Sequence, residues 1–146
     1  MMVLESEANM SKSEPTIQKF MTTDPKSIES TAKIKDAQAL MTKFKIRHLP
    51  VTRQGKVVGI LSDRDIKLVG SFSEIEIDEV VVADVCQNKP YIVAPDELIH
   101  EVAAEMAAKH YGSAIVVQNS RLVGIFTAVD ACRTLAEILE MRYHQK

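Results

Sequence analysis

The chain repeats itself at a fixed spacing of 65 residues, so that residues 17–65 align with residues 82–130 without an insertion or a deletion. The match is closest between residues 57–65 (VVGILSDRD) and residues 122–130 (LVGIFTAVD), where an apolar run, a glycine, a hydroxyl residue and an aspartate recur in register. Such a repeat indicates two copies of one supersecondary unit, which must pack together to bury their apolar faces. Because polar positions recur as well as apolar ones, the repeat also predicts a recurring site.

Each copy carries the signals of one β-α-β-β-α unit. In the first copy Ile34, Ala37 and Met41 recur at the spacing of one helical face. Thr31 is expected to cap that helix, and Asp96 is expected to cap its counterpart in the second copy. Two β-rich runs around a short connection then predict a hairpin, and a second helix follows. The predicted fold class is therefore α+β, with tandem β-α-β-β-α repeats packed about a pseudo-twofold axis.

Changes in composition along the chain predict five segments. They are a disordered N-terminal arm at 1–14, a first repeat at 15–69, a linker at 70–81, a second repeat at 82–140 and a C-terminal tail at 141–146. The arm is polar and lacks periodicity, which is typical of disorder. The linker is acidic, but Ile75, Ile77 and Val80 interrupt its charges. We therefore expect the linker to pack against the body of the protein.

The charge and the hydrophobicity of the sequence argue against two classes of partner, nucleic acid and membrane. The chain has 18 basic and 20 acidic residues, a formal net charge of -2, and its Lys and Arg residues form no cluster. Nucleic acid is therefore not an expected partner, because its recognition depends on a basic surface. No apolar stretch is long enough for a signal peptide or a membrane span. The expected location is cytoplasmic, without a membrane partner.

The chain also lacks the motifs of common enzymes and metal sites. Cys86 and Cys132 are far apart in the sequence, and the four histidines are scattered. No metal site and no cofactor are expected from these spacings. There is no nucleophile with an evident neighbouring base and no glycine-rich phosphate loop. We therefore expect the protein not to be an enzyme.

One motif at the start of a helix has two interpretations. Ser62 with Asp65, and Thr127 with Asp130, have nearly the spacing of a capping box, which needs no ligand. The same groups suit a nucleotide, because a helix N-terminus attracts phosphate and an ionised carboxylate accepts both hydrogens of a ribose diol. Arg64 would add further donors for phosphate. One aspartate can serve as both a cap and a ligand contact.

On the facing side, Arg47, His48, Leu49 and Pro50 offer backbone groups at the start of a strand, beside an apolar shelf. Such a shelf suits an adenine ring.

The chain resembles the cystathionine-β-synthase (CBS) domain pair, or Bateman module, over about residues 15–140. Residues 46–65 (IRHLPVTRQGKVVGILSDRD) and 111–130 (YGSAIVVQNSRLVGIFTAVD) carry the resemblance. It implies binding of adenosine derivatives in two clefts between the repeats. The expected ligands are AMP, ADP or ATP, with S-adenosylmethionine or NAD(H) as alternatives. It also implies a homodimer that forms a disc of four repeats.

The resemblance assigns a set of residues to each adenosyl site. The first site would comprise Lys26, Ser27, Ile28, Arg47, His48, Leu49, Pro50, Ser62, Arg64 and Asp65. The second would comprise Tyr91, Ile92, Val93, Gly112, Ser113, Ala114, Ile115, Thr127 and Asp130. Two positions differ between the copies, since Ile115 replaces Pro50 and Val129 replaces Arg64. We therefore expect the first site to favour the more highly phosphorylated ligand.

These inferences predict a stand-alone regulatory module that binds an adenine nucleotide and acts as an energy or metabolite sensor on a partner protein. The alternative is a scaffold dimer whose clefts are purely architectural.

Overall fold

The computed structural model describes residues 14–144. The predicted N-terminal arm, except for Glu14, and the last two residues of the predicted tail lie outside the described residues.

Five α-helices and seven strands follow one another along the described chain. In order they are α1 (Ile17–Phe20), β1 (Thr22–Thr23), β2 (Ile28–Glu29), α2 (Ile34–Phe44), β3 (His48–Arg53), β4 (Lys56–Ser62), α3 (Asp63–Gly70), β5 (Ile92–Val93), α4 (Ile99–Lys109), β6 (Ser113–Gln118), β7 (Arg121–Thr127) and α5 (Ala128–Tyr143). Two short 3-10 turns, Ile77–Glu79 and Val82–Asp84, lie between α3 and β5. The predicted β-α-β-β-α order and the α+β class are confirmed.

Two sheets form, one for each repeat. In the three-stranded sheet β2 runs parallel to β3, and β3 pairs antiparallel with β4. In the four-stranded sheet the order is β1-β7-β6-β5, where β5 runs parallel to β6. The predicted helical face is also present, since Ile34, Ala37 and Met41 are the buried residues of α2.

The prediction that Thr31 caps α2 and that Asp96 caps α4 is wrong. Helix α2 begins at Ile34 and α4 begins at Ile99, so each expected cap lies three residues before the helix. A capping side chain belongs to the residue immediately before the first helical residue. The N-termini of α2 and α4 must therefore find other acceptors for their N–H groups.

The segment that leads into one repeat supplies this acceptor to the other repeat. The N–H of Ile34 donates to the carbonyl of Val80 at 2.9 Å, and the N–H of Ile99 donates to the carbonyl of Pro15 at 3.1 Å. Pro15 lies two residues before Ile17, and Val80 lies two residues before Val82, at the corresponding position of the other repeat. The opening segments have thus been exchanged between the two repeats.

The pairing of strands shows the same exchange between the repeats. Thr22 in β1 pairs with Ile125 in β7 of the second repeat. At the equivalent positions, Gln87 bridges Ile60 of the first repeat through two backbone hydrogen bonds of 2.9 and 3.0 Å. Each sheet therefore has one edge covered by the other half of the chain.

The two cores depend on the same exchange. Ile17, at the start of the first repeat, is fully buried in the core of the second, and Val82 is fully buried in the core of the first. The other buried members of the first core are Ile28, Ile34, Ala37, Met41, Leu49, Val51, Leu61 and Ile66. Those of the second are Val93, Ile99, Val102, Met106, Ala114, Val116 and Phe126. Neither core is complete without the other repeat.

The linker packs against the first core, as predicted, through Ile77 and Val80. Ile75 is 41% exposed and does not contribute. Among the described helices, none is long and apolar enough to cross a membrane.

Gly59 in β4 and Gly124 in β7 make room for the exchanged segments. A Cβ atom on Gly59 would lie 2.6 Å from the carbonyl oxygen of Gln87 and 3.0 Å from the Sγ of Cys86. A Cβ atom on Gly124 would overlap the side chain of Met21. The obstacle is thus backbone at Gly59 and a flexible side chain at Gly124.

This difference predicts different outcomes for Gly59→Ala and Gly124→Ala. Both should lower the free energy of unfolding by about 1–3 kcal/mol through overpacking. In a Met21→Ala background, Gly124→Ala should cost much less, because the obstructing side chain is gone. In a Cys86→Ala background, Gly59→Ala should keep its full cost, since the Gln87 carbonyl remains.

Urea unfolding of the single and double variants measures both cycles. Equal relief in the two cycles would contradict the close backbone contact at Gly59.

Candidate functional site

A cavity of about 620 Å³ lies between the two repeats. From the first repeat it is lined by Arg47, His48, Ile60, Ser62, Asp63, Arg64, Asp65 and Lys67. From the second repeat it is lined by Gln87, Lys89, Pro90, Tyr91, His110, Tyr111, Gly112 and Ser113. The size is that of an ordinary small-molecule site.

The start of α3 forms one wall of the cavity and is also a complete capping box. The N–H of Asp65 donates to Ser62 Oγ at 3.1 Å, and the N–H of Ser62 donates to Asp65 Oδ2 at 3.0 Å. The carboxylate is half-buried, and no donor among residues 14–144 bonds its Oδ1. One oxygen of Asp65 therefore closes the cap, and the other remains available to a ligand.

The equivalent aspartate at the start of α5 is differently placed. Asp130 makes the same box with Thr127, at 2.9 and 3.2 Å, and is only 4% exposed. Its Oδ1 also accepts from Arg133 Nη1 at 2.7 Å, and both oxygens lie 3.4 Å from the hydroxyl of Thr22. Both oxygens of Asp130 are thus already engaged within the chain.

The cavity contains residues of both sites that the sequence predicts. Of the first predicted site it contains Arg47, His48, Ser62, Arg64 and Asp65, and of the second it contains Tyr91, Gly112 and Ser113. The remaining predicted residues do not line it: Lys26, Ser27, Ile28, Leu49, Pro50, Ile92, Val93, Ala114, Ile115, Thr127 and Asp130. Several of these are core residues, including Leu49 and Ile115. The exchange contributes to this grouping, since it pairs Gln87 with Ile60 of the first repeat at the wall of the cavity.

Sequence reasoning missed several residues of the wall: Ile60, Asp63, Lys67, Gln87, Lys89, Pro90, His110 and Tyr111. Lys67 lies one turn beyond Asp63 on the same helix, so helical spacing alone would have suggested it. Tyr111 follows α4 in the other repeat, and no spacing within one repeat connects it with Asp65.

Two tyrosines form an aromatic surface on the wall. The ring centroids of Tyr91 and Tyr111 are 5.1 Å apart, with an angle of 32° between the ring planes. Burial, followed by the nearby charge of Glu97, raises the pKa of Tyr91, so its phenol stays protonated at neutral pH. The pair offers a largely apolar, aromatic contact for a planar ring.

Positive charge predominates in the cavity. Its charged side chains are Arg47, Arg64, Lys67 and Lys89 on the basic side, against Asp63 and Asp65 on the acidic side. Lys67 pairs with Asp63 at 3.0 Å, which leaves the other three cations without an ion-pair partner among the described residues. The cavity thus suits an anionic ligand.

His48 belongs to the contact between the repeats. A Cβ atom on Gly112 would lie 2.9 Å from His48 Nε2, so the imidazole packs closely on this glycine. Burial lowers the pKa of His48 below 6.5, although Asp65 opposes the shift, Arg47 adds to it and Asp63 opposes it. The ring is therefore neutral at pH 7 and adds no positive charge to the cavity.

The part of the chain that the structure describes contains no group of three or more His, Cys, Asp or Glu side chains that could hold a metal ion.

Comparison with curated proteins finds enzymes that match this chain over one segment, and a relative that matches over most of its length. Inosine-5'-monophosphate dehydrogenase of Bifidobacterium longum is 28% identical over 117 residues, which cover 78% of this chain but 21% of that enzyme. The CBS domain-containing protein YhcV of Bacillus subtilis is 27% identical over 120 residues, which cover 79% of this chain and 81% of the relative. The chain thus spans about a fifth of the dehydrogenase it matches.

Solved structures match over nearly their whole length. A protein from Vibrio cholerae assigned to acetoin utilization (AcuB) is 28% identical, with a TM-score of 0.81 over 92% of this chain and 99% of that one. The CBS domain pair of protein MJ0100 is 23% identical, with a TM-score of 0.78 over 86% of this chain and 99% of that one. CBSX2 in complex with AMP is 22% identical, with a TM-score of 0.75 over 84% of this chain and 97% of that one.

A family model of the CBS domain matches the chain twice, over residues 17–71 and over residues 82–137. These matches coincide with the two sequence repeats. The chain therefore belongs to the CBS domain family and carries a pair of these domains.

Proposed function

We propose that this chain is a regulatory module that binds an adenine nucleotide (AMP, ADP or ATP) in the cavity beside Asp65. One observation carries the proposal: a single cavity brings together an available carboxylate oxygen, a helix N-terminus, a pair of tyrosines and an excess of cations. Each of these features complements one part of a nucleotide.

The sugar and the phosphates would bind at the start of α3. Asp65 Oδ1 is an acceptor that a ribose diol can reach without breaking the capping box, because the cap uses Oδ2. The N-terminus of α3 attracts negative charge, and Arg64 presents a fork of N–H donors beside it. Arg47 and Lys89 would hold the outer phosphates.

The base would lie against the second repeat. The rings of Tyr91 and Tyr111 provide an apolar surface, and the backbone of Gly112 and Ser113 lies at the same wall. Main-chain groups there can read the edge of an adenine. A stacked base on an aromatic side chain typically contributes about 1–3 kcal/mol of binding energy.

The charge of the cavity favours nucleotides over the alternative ligands. Two similar solved structures contain adenosine compounds: AMP in CBSX2, and 5'-methylthioadenosine with S-adenosyl-L-methionine in the MJ0100 domain pair. At 23% identity or less, these structures support a shared fold, so the ligand proposed here rests on the cavity itself. An excess of cations opposes the sulfonium of S-adenosylmethionine and attracts phosphate. NAD(H) is a further alternative ligand, which a screen of ligand binding would detect.

We also propose that the module acts as a homodimer on a protein partner. Helix α5 exposes five large apolar side chains: Val129, Leu135, Ile138, Leu139 and Met141. Exposed apolar patches are typical of protein interfaces, and this helix is the proposed contact of the dimer. Association through α5 would be coupled to the cavity, because Thr127, the N-cap of α5, pairs with Ser113, which lines the cavity.

A scaffold without a ligand is the second candidate, and the capping box favours it. Asp65 already has a structural partner in Ser62, so the residue has a use even when the cavity is empty. The two candidates differ in whether Asp65 affects binding or only stability.

Two substitutions of Asp65 separate its roles. Asp65→Asn keeps a side-chain acceptor for the N–H of Ser62 but loses the charge, whereas Asp65→Ala loses both. Both variants should weaken ATP binding by about 1.5–3 kcal/mol, which is about tenfold to a hundredfold. Only Asp65→Ala should lose about 0.5–1 kcal/mol of stability from the cap.

Isothermal titration calorimetry and urea unfolding measure the two effects. No binding of AMP, ATP, NAD or S-adenosylmethionine to the wild-type chain would favour the scaffold.

Lys89 tests the assignment of the phosphate side. Lys89→Ala removes an exposed cation from the wall, and the cost of such a contact is about 0.2–1 kcal/mol. ATP should then bind up to about fivefold more weakly, while adenosine should bind unchanged. Lys56→Ala, at the hairpin turn of β4 outside the cavity, is the matched control. An equal loss for ATP and adenosine would place Lys89 away from the phosphates.

A further inference from the structure

The two capping boxes are built alike, but their neighbours differ at two equivalent positions. Three residues after the aspartate, α5 carries Arg133 where α3 carries Leu68. On the exchanged segment, β1 brings Thr22 to Asp130, whereas Gln87 occupies the corresponding position beside α3. Both differences concern polar groups that can reach a carboxylate.

At the second box, Arg133 forms an ion pair with the carboxylate of Asp130. Its Nη1 donates to Asp130 Oδ1 at 2.7 Å, and the side chain of Asp130 is 5% exposed while that of Arg133 is 58% exposed. The guanidinium thus covers a nearly buried acid from the solvent side. A charge-assisted bond of this length is among the stronger hydrogen bonds in proteins.

At the first box, nothing equivalent covers the carboxylate. Leu68 is 61% exposed and has no polar group to offer. Within residues 14–144, the recorded bonds of the Asp65 side chain involve Oδ2 only, and the residue faces the cavity. Of the two differing neighbours, Arg133 is the one that places a cation on the carboxylate, at 2.7 Å.

We infer that Arg133 determines which of the two boxes can accept a ribose, and that the chain therefore binds one nucleotide, at Asp65. The inference rests on the proposed function. A diol that reached Asp130 would have to displace the guanidinium and leave it without its partner. The second box also has Val129 where the first has Arg64, so no arginine there compensates with a phosphate contact.

Exchange of the two residues tests this inference on the full chain. Titration calorimetry with ATP should give one site per wild-type chain. Arg133→Leu, which installs the residue of the first repeat, should raise the stoichiometry to two. Leu68→Arg should weaken binding at Asp65 at least tenfold, because a guanidinium now competes for its carboxylate. Arg142→Leu, on the same helix but without a recorded contact to Asp130, is the control and should leave one site.

The outcomes separate this inference from the proposed function. No ATP binding by the wild-type chain would overturn both. Two sites in the wild-type chain, or one site in a folded Arg133→Leu chain, would overturn the role of Arg133 alone. If Arg133→Leu does not fold, as judged by circular dichroism, Leu68→Arg decides: unchanged affinity in that variant overturns the inference. Adding Asp130→Asn to Arg133→Leu should return the stoichiometry to one.

Discussion

The exchange of opening segments between the two repeats is the constraint on which the rest of this structure depends. Ile17 fills the core of the second repeat and Val82 fills the core of the first, and both are fully buried. The same segments supply the backbone acceptors for α2 and α4 and cover one edge of each sheet. Two half-cores of about 50 residues, each too small to be stable alone, thereby become one body.

The exchange also creates the candidate site. Residues 87–91 reach the wall of the cavity because the strand segment at Gln87 pairs with Ile60 of the first repeat. The cavity consequently takes its carboxylate and most of its cations from one repeat, and its tyrosines from the other. A ligand that contacts both walls would bridge the two repeats directly, which is the geometry that a sensor of repeat orientation requires.

The sequence predicted the elements well and their partners poorly. Helical spacing and hairpin signals within one repeat are local, so the order of elements and the boxes at Ser62 and Thr127 followed from them. The caps at Thr31 and Asp96 failed because the real acceptors come from distant backbone. The predicted grouping of residues into two sites stays a prediction. The cavity contains residues of both copies, which a spacing of 65 residues does not reveal. The ion pair of Asp130 with Arg133 has no counterpart in α3, so it becomes apparent only when the two helices are compared position by position.

The sequence separations of the exchanged pairs differ widely, and this bears on how the chain folds. Gln87 pairs with Ile60, 27 residues earlier, whereas Thr22 pairs with Ile125, 103 residues later. Loop closure is entropically cheaper for the shorter connection, and contacts between distant residues slow folding. During synthesis the first core can close once the segment around Val82 has emerged. Until the second repeat is made, Ile17 has no core to enter, so the segment around Ile17 packs after the first core has formed.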